Sequence, residues 1–314
     1  MIIAVIVIAA VAVWALLFSP PAVKKSQYKN AIELAEAGEY AKALDYFKEL
    51  GDYKDSKLRI ENYTIIMTRE MYEQATEFMT AKKYEEAQNI FLQLGNYKDA
   101  KELADEAKLL GQMASIQDVN VGDEISFGTY EQDNQTENGA EAIEWLVIDK
   151  KGDKALLITK HAIACRKYHA TYVDTTWSTA STRAWLNSEF MDEAFLDAQK
   201  KMIVETTLKN PDNPESKTDG GPDTTDKVFL LSVDEANHYF KTSEEKMCKP
   251  TAFAIARGSY ADEKSGNCIW WLRTPGANSL GSSFVSIEGD INMGGYLIDY
   301  RDCSVRPAMW VKLK

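Results

Sequence analysis

Residues 268–276, CIWWLRTPG, set two of the chain's seven tryptophans side by side and stop at a Pro-Gly turn. Successive side chains of a strand point to opposite faces, so Trp270 and Leu272 share one face and Trp271 and Arg273 the other. A large aromatic on each face needs cover on both sides, which predicts a central scaffold strand. The functional alternative is a stacking platform for a sugar or a peptide, built from Trp271, Arg273 and the 274–283 loop. Asn278 in that loop and Arg306 in the closing strand complete the candidate ligand-binding set.

Outward from this stretch, residues 116–314 read as short strands and turns with a few helices. EISFGTY, IEWLVID and KALLITK form a meander, with Lys151-Gly152-Asp153 as the second turn. A helical stretch then carries Trp185, Leu186, Phe190, Ala194 and Phe195 on its apolar side. VFLLS reads as a buried strand, and Ser232 with Glu235 makes a capping box for the helix that follows. In the closing stretch Val305, Pro307 and Met309 alternate with Arg306, Ala308 and Trp310, and Pro307 argues for an edge or bulged position. The class is α+β.

Residues 24–114 have a different grammar. A shift of 44 residues lays Tyr28 on Tyr72, Ala31 on Ala75, Tyr40 on Tyr84, Ala43 on Ala87 and Phe47 on Phe91, and Leu50-Gly51 and Tyr53-Lys54-Asp55 also find their copies. Apolar and small residues recur at helical spacing, and a break at Gly38-Glu39-Tyr40 makes each copy a helix hairpin. The segment is expected to be a stiff stalk, with a protein partner as the alternative role. Before it, residues 2–18 run without a charge and would reach about 26 Å as a helix, close to a hydrocarbon core of about 30 Å. Residues 1–20 are therefore expected to be an uncleaved single-pass anchor in the cell membrane, with residues 116–314 outside the cell. Lys24 and Lys25 pull against that orientation under the positive-inside rule.

Charge narrows the partners. Residues 21–115 carry 14 Lys/Arg against 17 Asp/Glu, and residues 116–314 carry 22 against 31, so most of the net charge of −12 lies in the C-terminal part. An acidic surface without a basic stripe argues against nucleic acid.

The hairpin copies AEAGEYAKALDYFKELGDYKDS and MTAKKYEEAQNIFLQLGNYKDA resemble tetratricopeptide repeats, with a longer period. The ordered set IEWLVID, STRAWLNSEFMDEAF, DTTDKVFLLSVDEA, KPTAFA, WWLRTPG and VRPAMWVKL resembles the bacterial domain of unknown function 6273 over about residues 120–314. The order of its elements is also similar to the C-type-lectin-like fold of formylglycine-generating enzymes. That likeness is one of fold and delivers no function by itself; the expectation for the whole chain is a surface protein whose lectin-like domain binds an extracellular glycan or protein without catalysis, the alternatives being an envelope enzyme or an assembly protein. The enzyme would need a close pair of late cysteines, which the sequence lacks.

Metal and thiol chemistry is sparse. His161, Cys165 and His169 are spaced by four, which on a helix would gather them for zinc. Asp219, Asp223 and Asp226 lie in a Gly- and Pro-rich loop where hard oxygens could take calcium, although the helix-loop-helix pattern of a calcium hand is missing and a solvated turn-rich loop is the favoured reading. Cys268 and Cys303 open two strands expected to share a sheet and are the preferred disulfide pair, with free buried thiols as the alternative. No catalytic residues are nominated.

Overall fold

The computed structural model describes residues 21–313, which fall into two compact units dividing at Gly111. In the first, helices α1 (Pro21–Glu36) and α2 (Tyr40–Leu50) form one hairpin, α3 (Ser56–Thr80) and α4 (Tyr84–Leu94) a second, and α5 (Ala100–Ser115) follows. Small residues set how closely the helices approach. Ala31, Ala35 and Ala43 pack around Phe47, and Ala75, Ala87, Ala100 and Ala104 around Phe91. Gly51 and Gly95 end the second helix of each hairpin at φ 59° and 57°, a left-handed turn that glycine adopts without Cβ strain. The 44-residue offset extends to single contacts. The Tyr28 hydroxyl donates to Asp55 as Tyr72 does to Asp99, and Lys54 and Lys98 each sit 4.2 Å above the corresponding Tyr ring.

The second unit contains the strands β1 (Glu124–Tyr130), β2 (Glu141–Lys151), β3 (Lys154–Thr159) and β4 (Ala164–Cys165), then helices α6 (Ser181–Leu186), α7 (Glu189–Ala194) and α8 (Asp197–Lys200). After them come β5 (Thr206–Leu208), β6 (Thr224–Asp226) and β7 (Val228–Phe229), then α9 (Val233–Tyr239), α10 (Ser243–Lys246) and α11 (Ala252–Ala256). The chain closes with β8 (Trp270–Pro275), β9 (Gly281–Val285), β10 (Ile291–Leu297), β11 (Ser304–Val305) and β12 (Ala308–Lys312). One sheet has the order β1-β2-β3-β12-β7 and is antiparallel throughout. The other has the order β10-β9-β8-β11-β4, antiparallel except for the parallel β8/β11 pair. Strand β8 is its middle strand and all six of its residues are buried.

The chain passes between the two sheets four times, and the first and last of these passages lie side by side. Residues 160–163 carry it from β3 to β4, and Arg306-Pro307 carries it back from β11 to β12. The passages are stitched by Thr159 N–H to the Pro307 carbonyl at 2.9 Å and by Ile163 N–H to the Val305 carbonyl at 3.1 Å. Arg306, only 3% exposed, clamps the corner. Its Nε donates to the Thr159 carbonyl at 2.9 Å and its Nη1 to the Lys246 carbonyl at 3.3 Å. Its guanidinium lies 5.1 Å from the Trp270 ring and 5.4 Å from Phe240. Proline, which cannot donate to a ladder, therefore sits where the strand leaves one sheet for the other.

The expected architecture of membrane helix, helical repeats and lectin-like domain is corrected at the membrane helix: what the described residues form is a mixed α+β fold with helix hairpins at its start. No helix among the described residues is long and apolar enough to cross a membrane. The longest, α3, has 25 residues but carries Arg59, Glu61, Arg69, Glu70 and Glu73 along its length. The span expected over residues 2–18 lies outside the described residues.

Replacing Arg306 by Met keeps the stem and removes the charged donors. Two buried carbonyls then lose a partner, and chemical denaturation should show a loss of about 1.5–3 kcal/mol; an unchanged midpoint would contradict the clamp.

Candidate functional site

The edge strand β4 and the strand beside it, β11, build the site at one end of the second sheet. They run antiparallel, with Cys165 opposite Ser304, so the residues leaving β4 meet those entering β11. Arg166 and Lys167 follow β4, Arg301 precedes β11, and Arg257 follows α11; together with Cys165 these four cations line a cavity of about 400 Å³. Each segment is fixed from behind. The Arg166 carbonyl accepts from Trp271 Nε1 at 3.0 Å, and the Lys167 carbonyl from Thr182 Oγ1 at 2.6 Å. The Cys165 thiol donates to the Arg301 carbonyl at 2.8 Å, and Tyr260 N–H to the Asp302 carbonyl at 3.0 Å.

The guanidiniums are oriented but unpaired. Arg166 lies 4.6 Å from the Trp185 ring and Arg257 4.2 Å from Phe253. A cation–π contact uses none of the guanidinium's N–H donors, which stay available to a carboxylate or phosphate. Among the described residues no carboxylate comes within ion-pair distance of Arg166, Lys167, Arg257 or Arg301. Burial, with Asp302 nearby, pushes the Cys165 thiol in the wall up to about 12, which favours its protonated form at neutral pH.

A smaller cavity of about 230 Å³ adjoins this one and shares Cys165, Arg166 and Arg257 with it. Its other wall holds Tyr130, Glu189 and Glu193. Burial pushes the Tyr130 hydroxyl up to about 12; Glu193 adds to the rise and Arg166 and Arg257 oppose it, so all three charges act on one hydroxyl.

The residues expected from sequence are placed otherwise. Trp271 is fully buried, edge-on to Tyr168 at 5.7 Å, and faces the core instead of solvent. Arg273 is 2% exposed and fully engaged: Nε bonds Asn210 at 3.2 Å, Nη1 the Leu230 carbonyl at 2.8 Å and Nη2 the Lys209 carbonyl at 3.0 Å. Both its terminal nitrogens also pair with Glu235, the residue that closes the α9 capping box with Ser232. Asn278 is exposed, and its side chain caps the Leu280 N–H within its own turn. Arg306 is the buried clamp already described. These four do not form one exposed platform, because Trp271, Arg273 and Arg306 are buried.

The calcium loop is likewise dispersed. Asp219 accepts from the Gly221 N–H, Asp223 pairs with Lys209, and Asp226 is buried under Trp177 Nε1 at 2.9 Å and Arg183 Nε at 2.7 Å. His161, Cys165 and His169 lie on extended and turn backbone instead of a helix, which separates them; His169 Nδ1 accepts from the Ser181 N–H. Among the described residues the acids that do converge are Glu131, Asp133 and Glu141, whose oxygens already accept from backbone N–H groups of residues 132, 133 and 135. Cys268 and Cys303 carry free buried thiols, and Cys268 hydrogen-bonds Cys248, a contact that together with burial raises its pKa. The pocket cations were missed in the sequence because they come from three separated segments of an acidic chain. The dibasic Arg166-Lys167 directly after Cys165 was the one local signal.

Residues 152–313 match the family described as Domain of unknown function (DUF6273), and the chain belongs to it. No curated protein and no solved structure matches, so the expected likeness to lectin-like and formylglycine-generating-enzyme folds finds no support there.

Two outcomes follow from this geometry. Arg273→Met should cost about 2–3 kcal/mol in denaturant unfolding, less than a fully buried pair because Glu235 keeps 29% exposure; a stable variant would show Arg273 to be dispensable. In the folded chain Cys165 should resist iodoacetamide at pH 8, with its rate rising about tenfold per pH unit towards pH 12 as thiolate forms. Labelling at pH 8 as fast as in denatured protein would contradict the raised pKa.

Proposed function

We propose that this member of the family is a binding module whose second unit takes a small ligand through an acidic group, carboxylate or phosphate, at the pocket formed by Arg166, Lys167, Arg257 and Arg301. The observation that carries this reading is the gathering of four cations without carboxylate partners in the more acidic half of the chain. Arginines with a structural role in this unit have their donors engaged, as Arg183 is by Asp226, Arg273 by Glu235 and Arg306 by two carbonyls. The domain's overall charge repels anions at a distance, so the pocket selects at contact range.

Pre-orientation supports the same reading. Two guanidiniums lie over aromatic rings at cation–π distance, and the backbones of Arg166 and Lys167 are pinned, which lowers the ordering entropy that opposes binding. The Cys165 thiol, its pKa raised by burial, adds a neutral wall to the pocket. The glycan- or protein-binding role expected at Trp271 and Arg273 moves to this pocket, where an acidic sugar or a peptide carboxylate fits the donors.

Calorimetric titration of the full chain with inorganic phosphate and with acetate is the test. At least one should bind, more weakly as salt rises, and Arg166→Glu with Arg257→Glu should reduce affinity at least tenfold, since charge-assisted bonds contribute roughly 1.5–3 kcal/mol each. Absence of binding by either ion, or binding unaffected by the double reversal, would overturn the reading.

A further inference from the structure

The two adjoining cavities differ in charge, and that difference narrows the ligand. The larger is walled by Lys167 and Arg301, the smaller by Glu189 and Glu193, and Arg166 and Arg257 stand on the boundary. Glu189 and Glu193 are one helical turn apart on α7 and both exposed. Neither carboxylate comes within ion-pair distance of a cation among the described residues. Two like charges four residues apart on one face repel, and the arrangement is unfavourable unless something positive lies between them. The boundary arginines line the same cavity as the pair, yet among the described residues neither forms an ion pair with Glu189 or Glu193.

Resting on the binding reading above, we infer that the ligand is a zwitterion: its acidic group lies among the arginines and its ammonium reaches the Glu189–Glu193 pair. The chemical class is an amino acid or another short molecule with an acid at one end and a primary amine at the other. Glu193 and the two boundary arginines already act on the same Tyr130 hydroxyl, which places the opposite charges within reach of one small molecule. Tyr130 stands edge-on to Phe253 at 5.7 Å and to the buried Phe190 at 5.3 Å, so it is held in the wall of the smaller cavity, which Arg166 and Arg257 also line. Held protonated, that hydroxyl has a hydrogen to donate, and it can serve the ligand's acid without adding charge.

The test is a matched series on the full chain: ω-amino acids from glycine to 6-aminohexanoate, each beside the carboxylic acid of the same length lacking the amine, with inorganic phosphate as an anion-only probe. Titration followed by calorimetry or ligand NMR should find one length at which the amine raises affinity at least tenfold. Glu189→Gln with Glu193→Gln should erase that gain while leaving the plain acid's affinity equal or higher, because two repelling charges are gone. Both positions are exposed, so the double variant should fold, and its thermal midpoint verifies this. Plain acids or phosphate binding as well as every amino acid, or an amine gain that survives the double variant, would overturn the zwitterion while leaving the anion pocket standing. If no probe binds at all, the anion reading and this inference fall together.

Discussion

A guanidinium buried at a corner holds the second unit together. Arg306 lies where the chain leaves one sheet for the other, bonded to the carbonyl that ends β3 and to the carbonyl of Lys246, with Trp270 and Phe240 against it. A charge this deep costs several kcal/mol to desolvate unless its donors and its face find partners, and here carbonyl dipoles and rings supply them. Because that corner is fixed, β4 lies beside β11, and the residues leaving one strand meet those entering the other. The cationic pocket is a consequence of this register.

The arginines of the unit thus divide by environment. Arg273 and Arg306 are engaged by carbonyls, by Glu235 and by aromatic rings, and they hold the fold. Arg166, Arg257 and Arg301 have their backbones anchored or stacked while their charged ends remain free. Trp271 joins the two groups, since the ring that fills the core also donates to the carbonyl of Arg166. A core tryptophan can therefore position a pocket residue without touching any ligand.

Much of the fold was legible in the residues themselves. Alternation in CIWWLR pointed to a strand covered on both faces, the 44-residue offset gave the helix hairpins, and Ser232 with Glu235 gave the α9 cap. The site was not legible, for a physical reason. Alternation assigns Arg273 and Trp271 to one face but does not say what covers either; Leu230, Asn210 and Glu235 cover Arg273, and Tyr168 and Tyr296 cover Trp271. Asp226 looked like one more loop acid until Trp177 and Arg183 closed over it. The free cations, in turn, come together only when β4, β11 and the end of α11 meet, and spacing along the chain records none of that.

Arginine-specific footprinting with phenylglyoxal on the intact chain, with and without phosphate, reads this division directly. The account predicts that Arg166, Arg257 and Arg301 react quickly and are protected together by phosphate, while Arg273 and Arg306 stay unmodified until the protein unfolds. Equal reactivity of all five, or protection that skips the three pocket arginines, would contradict it.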